Sequence, residues 1–441
     1  MAYIPNIIFL LALISGIGFF TYNIRQLIKN IKLGRSVTLE GSKAERYKNV
    51  ALIAFGQSKM LTKPISGIMH LLVYLGFVII NIEVLEIIID GLFGTHRIFA
   101  FLGTTYDVLI ATFEIFAALV VIAVGVFWVR RNVLKLQRFW KPEMKGWPKK
   151  DANLILYIEW VLMGLFLSMN AADVQLQQLG ADHYVQAGSF PVSSLISPLF
   201  NGMSVESLIV IERSAWWLHI VGILCFLNYL YYSKHLHILL AFPNTYFGRL
   251  TPSGQFAHNE TVAKEVALMM DPNADPFAAP AADAPVAERF GAADVMDLNQ
   301  IQLLNAYTCT ECGRCTSECP ANQTGKKLSP RKIMMDTRDR LHEVGNNLKQ
   351  NKGVFVPDGK QLLGDYISAE ELWACTSCNA CVTACPVSID PLSIIMEMRQ
   401  YLVMEQSAAP AALNNMMGNI ENNGAPWPYN QQDRLQWALE N

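Results

Sequence analysis

The stretch Cys309-Thr310-Glu311-Cys312-Gly313-Arg314-Cys315-Thr316-Ser317-Glu318-Cys319-Pro320 decides how the C-terminal part of this chain folds. It recurs as Cys375-Thr376-Ser377-Cys378-Asn379-Ala380-Cys381-Val382-Thr383-Ala384-Cys385-Pro386. Both read C-x2-C-x2-C-x3-C-P and together they use eight of the nine cysteines. Three thiolates at this spacing wrap one corner of an iron–sulfur cube, and the fourth ligand comes from the other motif's Cys-Pro. The spacing assigns Cys309, Cys312, Cys315 and Cys385 to one [4Fe–4S] cluster, and Cys375, Cys378, Cys381 and Cys319 to a second. Each proline stops the local helix or turn and fixes the direction of the thiolate before it. The small residues Gly313, Thr316, Ser377 and Ala380 leave room for the cluster and for N–H groups aimed at its sulfurs. Zinc takes four ligands, usually two C-x2-C pairs, and has no use for this pattern. Cys225 stands alone in an apolar run and reads as a buried small hydrophobe.

Outward from the motifs, the composition changes character. The 441 residues are 52% hydrophobic and only 16% charged, with a mean hydropathy of +0.25. That is too apolar for an ordinary soluble chain. A net charge of −2 points to no nucleic-acid partner. Five segments are apolar enough to span a bilayer: 1–24, 64–82, 108–129, 152–172 and 214–233. The first lacks a basic start and a clear cleavage site, so it reads as an uncleaved helix. Loop charges set the expected orientation. Residues 25–63 hold nine Lys/Arg and residues 130–150 hold eight, whereas the other two loops hold Arg97 and Arg213 alone. The N-terminus is expected outside a cytoplasmic (inner) membrane crossed five times. Everything after about residue 243 is then cytoplasmic, where reducing conditions suit clusters and disfavour disulfides.

The expected fold class is all-α, with a five-helix transmembrane bundle over 1–243. A Pro/Ala-rich linker over 244–300 follows, centred on the run from Asp271. A mainly α-helical two-cluster ferredoxin domain occupies 301–405, and 406–441 is a tail without assigned chemistry. Within the ferredoxin part, helices are expected from Ser329-Pro330 to about Glu343, over 370–373, and over 391–404.

Intramembrane histidines and carboxylates are costly and mark function. Haem b held between helices by two histidines is the natural use of His70, His219 and His237. On one continuous helix His219 and His237, 18 residues apart, share a face, roughly 27 Å from each other. His235 then points roughly 160° away, toward headgroups or a loop. His70 and His237 both fall near the inner membrane face and are expected to share one haem. His219 belongs to the outer half without an obvious mate, since Ile80 and Asn81 are not usual ligands; His96 could fold back from its loop. A second haem would need such a partner. Glu83, Glu86 and Glu114 are candidate proton acceptors for a quinol near the outer face, although Glu83 and Glu86 read equally well as solvated helix ends. Glu159 interrupts the fourth span.

The membrane half resembles the gamma subunit of respiratory nitrate reductase and the cytochrome b subunit of membrane-bound heterodisulfide reductase. The resemblance implies five helices, an outside N-terminus and haems b between the second and fifth helices. It rests on the two fifth-helix histidines, His219 and His237. The soluble half is similar to the two-cluster subunit or domain of heterodisulfide reductase and to Fe–S proteins of lactate and glycerol-3-phosphate oxidation. Two departures stand out. The second helix carries His70 alone, where the nitrate reductase pattern has two histidines. The cysteine-rich CCG domain is missing, so any substrate-converting centre belongs to another chain.

These readings give a membrane-anchored electron-transfer subunit of a respiratory oxidoreductase. It would relay electrons between quinone as substrate, haem b, two [4Fe–4S] clusters and a cytoplasmic partner of CCG-domain or flavoprotein type, in a hetero-oligomeric complex. The other class open to this sequence is an Fe–S anchoring, assembly or redox-sensing component that uses neither haem nor quinone.

Overall fold

The computed structural model describes residues 3–39, 41–252, 254–256, 259–273 and 289–439. Residues 274–288, within the linker expected over 244–300, lie outside that set. Among the described residues there are helices and turns but no strand, with only isolated bridges such as Arg35 to Asn299. The fold is all-α.

Five helices are long and apolar enough to cross a membrane: α1 (Ile4–Ile31), α2 (Pro64–Phe93), α3 (Thr104–Trp128, continued to Val133), α4 (Trp147–Gln178) and α5 (Val205–Tyr229, continued to Tyr232). α3 and α4 extend past the apolar segments expected from sequence at both ends, α1 and α2 at their C-terminal ends, and α5 at its N-terminal end. Pro64 and Pro148 sit in the first turns of α2 and α4, where a missing N–H costs nothing. α1 packs on α2, α2 on α3, α3 on α4, α4 on α5, and α5 back on α1, closing a ring. Glycines set the close approaches. A Cβ on Gly222 of α5 would meet Leu162 of α4 at 2.8 Å.

The fifth span does not continue to residue 242 as one helix. It tightens over Leu230–Tyr232, turns through an extended Ser233 and restarts as α6 (His237–Tyr246). The Ser233 hydroxyl accepts the His235 N–H and Asp151 Oδ2 accepts the Lys234 N–H, so this break is built rather than frayed. The phase argument from His219 to His237 therefore does not apply. Cys225 is exposed on the outer surface of α5, not buried.

The C-terminal part is held by α7 (Gln300–Thr308), α8 (Pro330–Gln350) and α9 (Pro391–Met404). Ser329 caps α8 by accepting the Lys332 N–H, and Ser368 with Glu371 forms a capping box on the short helix Ala369–Trp373. α8 runs two turns beyond the expected end at Glu343 because Leu341 and Val344 are fully buried. Ala292, Ala293, Val295 and Leu298 are also fully buried, so the packed unit starts ahead of the expected boundary at 301. The tail contains a helix, Ala411–Asn423, with no buried residue.

One hydrophobic core runs through the junction of the two parts. Leu27 of α1, Leu230 and Leu236 pack with Leu303, Ile333, Leu341 and Met398. Asn30 donates to the Tyr307 hydroxyl at 2.9 Å, and Gly345 lies so close that a Cβ there would meet the Asn30 side chain at 2.4 Å. The soluble part is thus seated on the bundle end formed by the α1 C-terminus, residues 59–63, 138–143 and the α5 break.

Candidate functional site

The two cysteine loops share one backbone design. Glu311 and Ser377, at matching positions, both have φ of +55°. Gly313 (+73°) and Asn379 (+58°) match in the same way. Alternation of right- and left-handed residues turns successive N–H groups to one side and makes an anion-binding concavity. Ser377 N–H donates to Cys375 Sγ at 3.4 Å, and Ile389 N–H to Cys385 Sγ at 3.3 Å.

Cys309, Cys312, Cys315 and Cys385 line one small space, with Cys381 also at its wall. Among the described residues no three His, Cys, Asp or Glu side chains converge as a single metal ion would require; the thiols surround a volume instead. Burial pushes the Cys309 and Cys381 thiols up to about 12 and the Cys385 thiol to about 11. After burial, Cys312 also raises Cys385, Asp390 raises Cys381, and the Ser377 N–H and Arg399 oppose the rise at Cys375. Buried thiols become thiolates only beside compensating positive charge, which bound iron supplies. The donor set and the loop shape fit two cubane clusters.

The bundle covers the first loop. Arg314 donates to the carbonyls of Lys59 and Met60 at 3.0 and 3.1 Å. Lys59 Nζ donates to Ser388, three residues past Cys385, at 3.1 Å. Glu311 is 2% exposed in its side chain and pairs with Lys234 and, at 2.7 Å, with Arg338. Burial alone would raise the Glu311 carboxyl, but these two cations outweigh it and hold it below the usual range. Around the second loop, the Cys375 carbonyl and the Ser377 side chain are met by Arg399 and Met396 of the C-terminal part itself. Cys378 is exposed.

Beneath the first loop, the rings of His70 on α2 and His237 at the start of α6 stand 6.3 Å apart between centres. Two metal–nitrogen bonds of about 2 Å each, plus the ring radii, span a comparable distance. His237 Nδ1 donates to the Lys234 carbonyl at 3.2 Å, which leaves Nε2 bare. His70 Nδ1 is buried without a partner. His235 does not face headgroups; its Nε2 lies 3.6 Å from Glu159 on α4. The break before α6 turns it inward.

His219 is 1% exposed and sits one turn along α5 from Gly222. Its Nδ1 donates to the Leu162 carbonyl at 2.9 Å and its Nε2 is buried with no partner. Phe166 packs beside it at 5.9 Å. Among the described residues no histidine ring pairs with His219, and Asn81 is exposed and bonded to its own helix.

The far end of the bundle holds buried charge that sequence reasoning placed only in part. Glu83 and Glu86 are each 3% exposed and Glu114 is fully buried, so none is a solvated helix end. Glu114 accepts from Asn170 and from the N–H groups of Val192 and Ser193. Glu86 accepts from Phe99 N–H and Tyr106. Arg97, in a left-handed conformation (φ +54°), reaches back to Asp173, Asn170 and Tyr106. His96 folds back with it, yet toward Asp173 and Tyr184. The sequence signal for this cluster was an isolated arginine in an otherwise uncharged outer loop.

Comparison with known proteins bears on this layout. Residues 308–389 match the family described as a 4Fe–4S dicluster domain. The chain is 29% identical to a probable iron-sulfur-binding oxidoreductase, FadF, of Bacillus subtilis, over 98% of this chain and 61% of that protein. It is 26% identical to the EtfAB:quinone oxidoreductase of Syntrophomonas wolfei, over 90% of this chain and 54% of that protein. A probable membrane-anchored ferredoxin of Chromohalobacter salexigens is 32% identical over 36% of this chain and 25% of its own length. Matches extend to heterodisulfide reductase subunits D and C of Methanosarcina species. The chain spans less than two thirds of the length of these first relatives. No solved structure matches it. The relatives are iron–sulfur electron-transfer proteins, some membrane-anchored, and the dicluster domain supports two [4Fe–4S] clusters here.

Proposed function

We propose that this chain is a membrane-anchored electron-transfer subunit linking a membrane quinone to a cytoplasmic redox partner. The observation that carries the reading is the His70–His237 pair, 6.3 Å between ring centres, lying next to the first cysteine loop. His70 and His237 would hold one haem b, and His219, with its Nδ1 anchored and Nε2 free, would offer a ligand to a second. Cys309, Cys312, Cys315 and Cys385 would hold the cluster nearer the membrane, and Cys375, Cys378, Cys381 and Cys319 the outer one. When bound, these groups carry single electrons.

The chain's own residues do the rest. The Lys234 carbonyl fixes the His237 tautomer and Lys59, Arg138 and Arg314 place positive charge beside the first cluster's thiolates. The exposed Cys378 edge gives a partner its closest approach. Positive charge in the loops on the cysteine side supports an outside N-terminus and a cytoplasmic ferredoxin domain at the inner membrane. The S. wolfei relative's name couples quinone to an electron-transfer flavoprotein, which favours a flavoprotein partner over a CCG-domain one.

The test is a reduced-minus-oxidised spectrum of the purified chain. A b-type signal that quinol alone can generate supports the reading. Iron at about eight atoms per chain with no haem, and no reduction by any quinol, would sink it in favour of an Fe–S anchor.

A further inference from the structure

Residues 130–150 join α3 to α4 on the cysteine side of the bundle and carry eight Lys/Arg against one acid, Glu143. Glu143 is already engaged, by Arg331 at 2.7 Å and by the Ser329 hydroxyl at 2.8 Å. The next acid along the chain, Asp151, is engaged by Tyr229 and Lys234. Among the described residues neither Lys135 nor Lys149 pairs with a carboxylate. Both turn to one ring instead: Lys149 Nζ lies 3.4 Å and Lys135 Nζ 5.4 Å from the centre of Trp140.

Gathering two ammonium groups at one ring costs repulsion, and an exposed ring attracts each of them only weakly. Helix stability does not ask for it either. Lys149 and Lys150 stand in the first turn of α4, where the positive end of the helix dipole disfavours cations. An anion shared by Lys135 and Lys149 would turn the repulsion into two charge-assisted hydrogen bonds.

The surroundings say which anion. Val133, Leu134, Trp140 and Trp147 of the same stretch are 43–62% exposed. Apolar and indole surface beside cations without counter-charge belongs at the level of lipid head groups. On the bilayer side of the loop, Trp128 of α3 packs with Tyr157 and Trp160 of α4 as a girdle of amphipathic rings. The loop is also held in place. Trp140 Nε1–H donates to the Arg131 carbonyl at 3.1 Å. The Arg138 carbonyl accepts from Arg331, a fully buried residue of the cysteine part, at 2.6 Å. A site fixed in advance loses little freedom on binding.

We propose that Lys135, Trp140 and Lys149 form a binding site for the phosphate of an anionic phospholipid in the leaflet on the cysteine side. The two ammonium groups donate to the phosphodiester oxygens. The indole, Val133 and Leu134 meet the glycerol and the first acyl carbons. The site uses neither haem nor quinone, so its failure would leave the electron-transfer reading standing.

The experiment uses the full chain in detergent with its clusters, stripped of lipid and titrated with dioleoyl-phosphatidylglycerol. Bound lipid is counted by native mass spectrometry. The parent should bind this lipid and should bind dioleoyl-phosphatidylcholine and inorganic phosphate far more weakly. Lys135→Ala and Lys149→Ala should each weaken binding about fivefold, and Lys149→Arg should keep it. Unaltered cluster EPR after dithionite reduction certifies folding. Lys43 and Lys48 are exposed cations of the other loop on the same side, so Lys43→Ala with Lys48→Ala should leave the affinity unchanged. The site is overturned if that control loses as much as Lys135→Ala with Lys149→Ala, which would mean only general attraction to a positive face. It is equally overturned if the latter pair binds lipid like the parent, or if inorganic phosphate binds as tightly as the lipid.

Discussion

The two ends of the membrane bundle bury charge in different proportions. The end that seats the cysteine domain gathers imidazoles and cations, His70, His235, His237, Lys59, Lys234 and Arg314, with Glu311, Asp151 and Glu159 as counter-charges. The far end gathers carboxylates, with Glu83, Glu86, Glu114 and Asp173 all buried around one arginine. Cations suit the neighbourhood of anionic clusters, and carboxylates suit the exchange of protons. Under the proposed relay, one end of the bundle would handle electrons and the other protons.

The comparison can be broken most decisively at the near end. Cys385→Ser should remove the cluster of Cys309, Cys312 and Cys315 and leave the other. Iron should fall from about eight to about four atoms per chain; EPR loss of the signal held by Cys375 to Cys381 instead would overturn the cross-ligation. His237→Ala should abolish the b-type signal of the haem nearest the clusters while the cluster EPR persists; an unchanged spectrum would exclude His237 as a ligand.

Next come the buried ion pairs, one at each end. Glu311→Ala leaves Lys234 and Arg338 facing a low-dielectric junction, a loss of about 3–5 kcal/mol. Limited proteolysis should then release the cysteine domain from an intact bundle. Arg97→Ala strands Asp173 at similar cost, and thermal unfolding should show a loosened bundle with clusters unaffected. If both variants unfold the same unit, the ends are not independent.

The smallest effect is that of pH on the junction. The Glu311 carboxyl is held below its ordinary value, so its contribution is present above about pH 4.3 and lost as pH falls through its lowered folded value. Protease release of the cysteine domain should rise only on the acid side, and Glu311→Gln should flatten that dependence.

The cysteine loops and the five spans were legible because each is a local signal, a ligand spacing in one case and a run of apolar residues in the other. The break before His237 was not. No proline or glycine marks residues 230–236, and the turn is held by Ser233 and by Asp151 from another helix. Proximity of His70 and His237 was expected from their shared depth near the inner face, whereas the preference for His237 over His235 came from a helical phase that the chain does not keep. The carboxylates were visible as intramembrane charges. Their burial was not, since it depends on Arg97 folding back through a left-handed residue that sequence gives no reason to expect. Cys225 failed because apolar runs in a bilayer face lipid as readily as core.

The buried carboxylates and the cysteines lie at opposite ends of helices that reach 32 residues, about 48 Å of rise. Under the proposed relay an electron passing between them would traverse the low-dielectric layer while its proton stayed behind on the starting side. Each such transfer works with or against the membrane voltage by about 2.3 kcal/mol per 100 mV. If the proposed relay operates, the chain would be a generator or a load on the cell's electrical circuit, with the voltage across the membrane as one of its reactants.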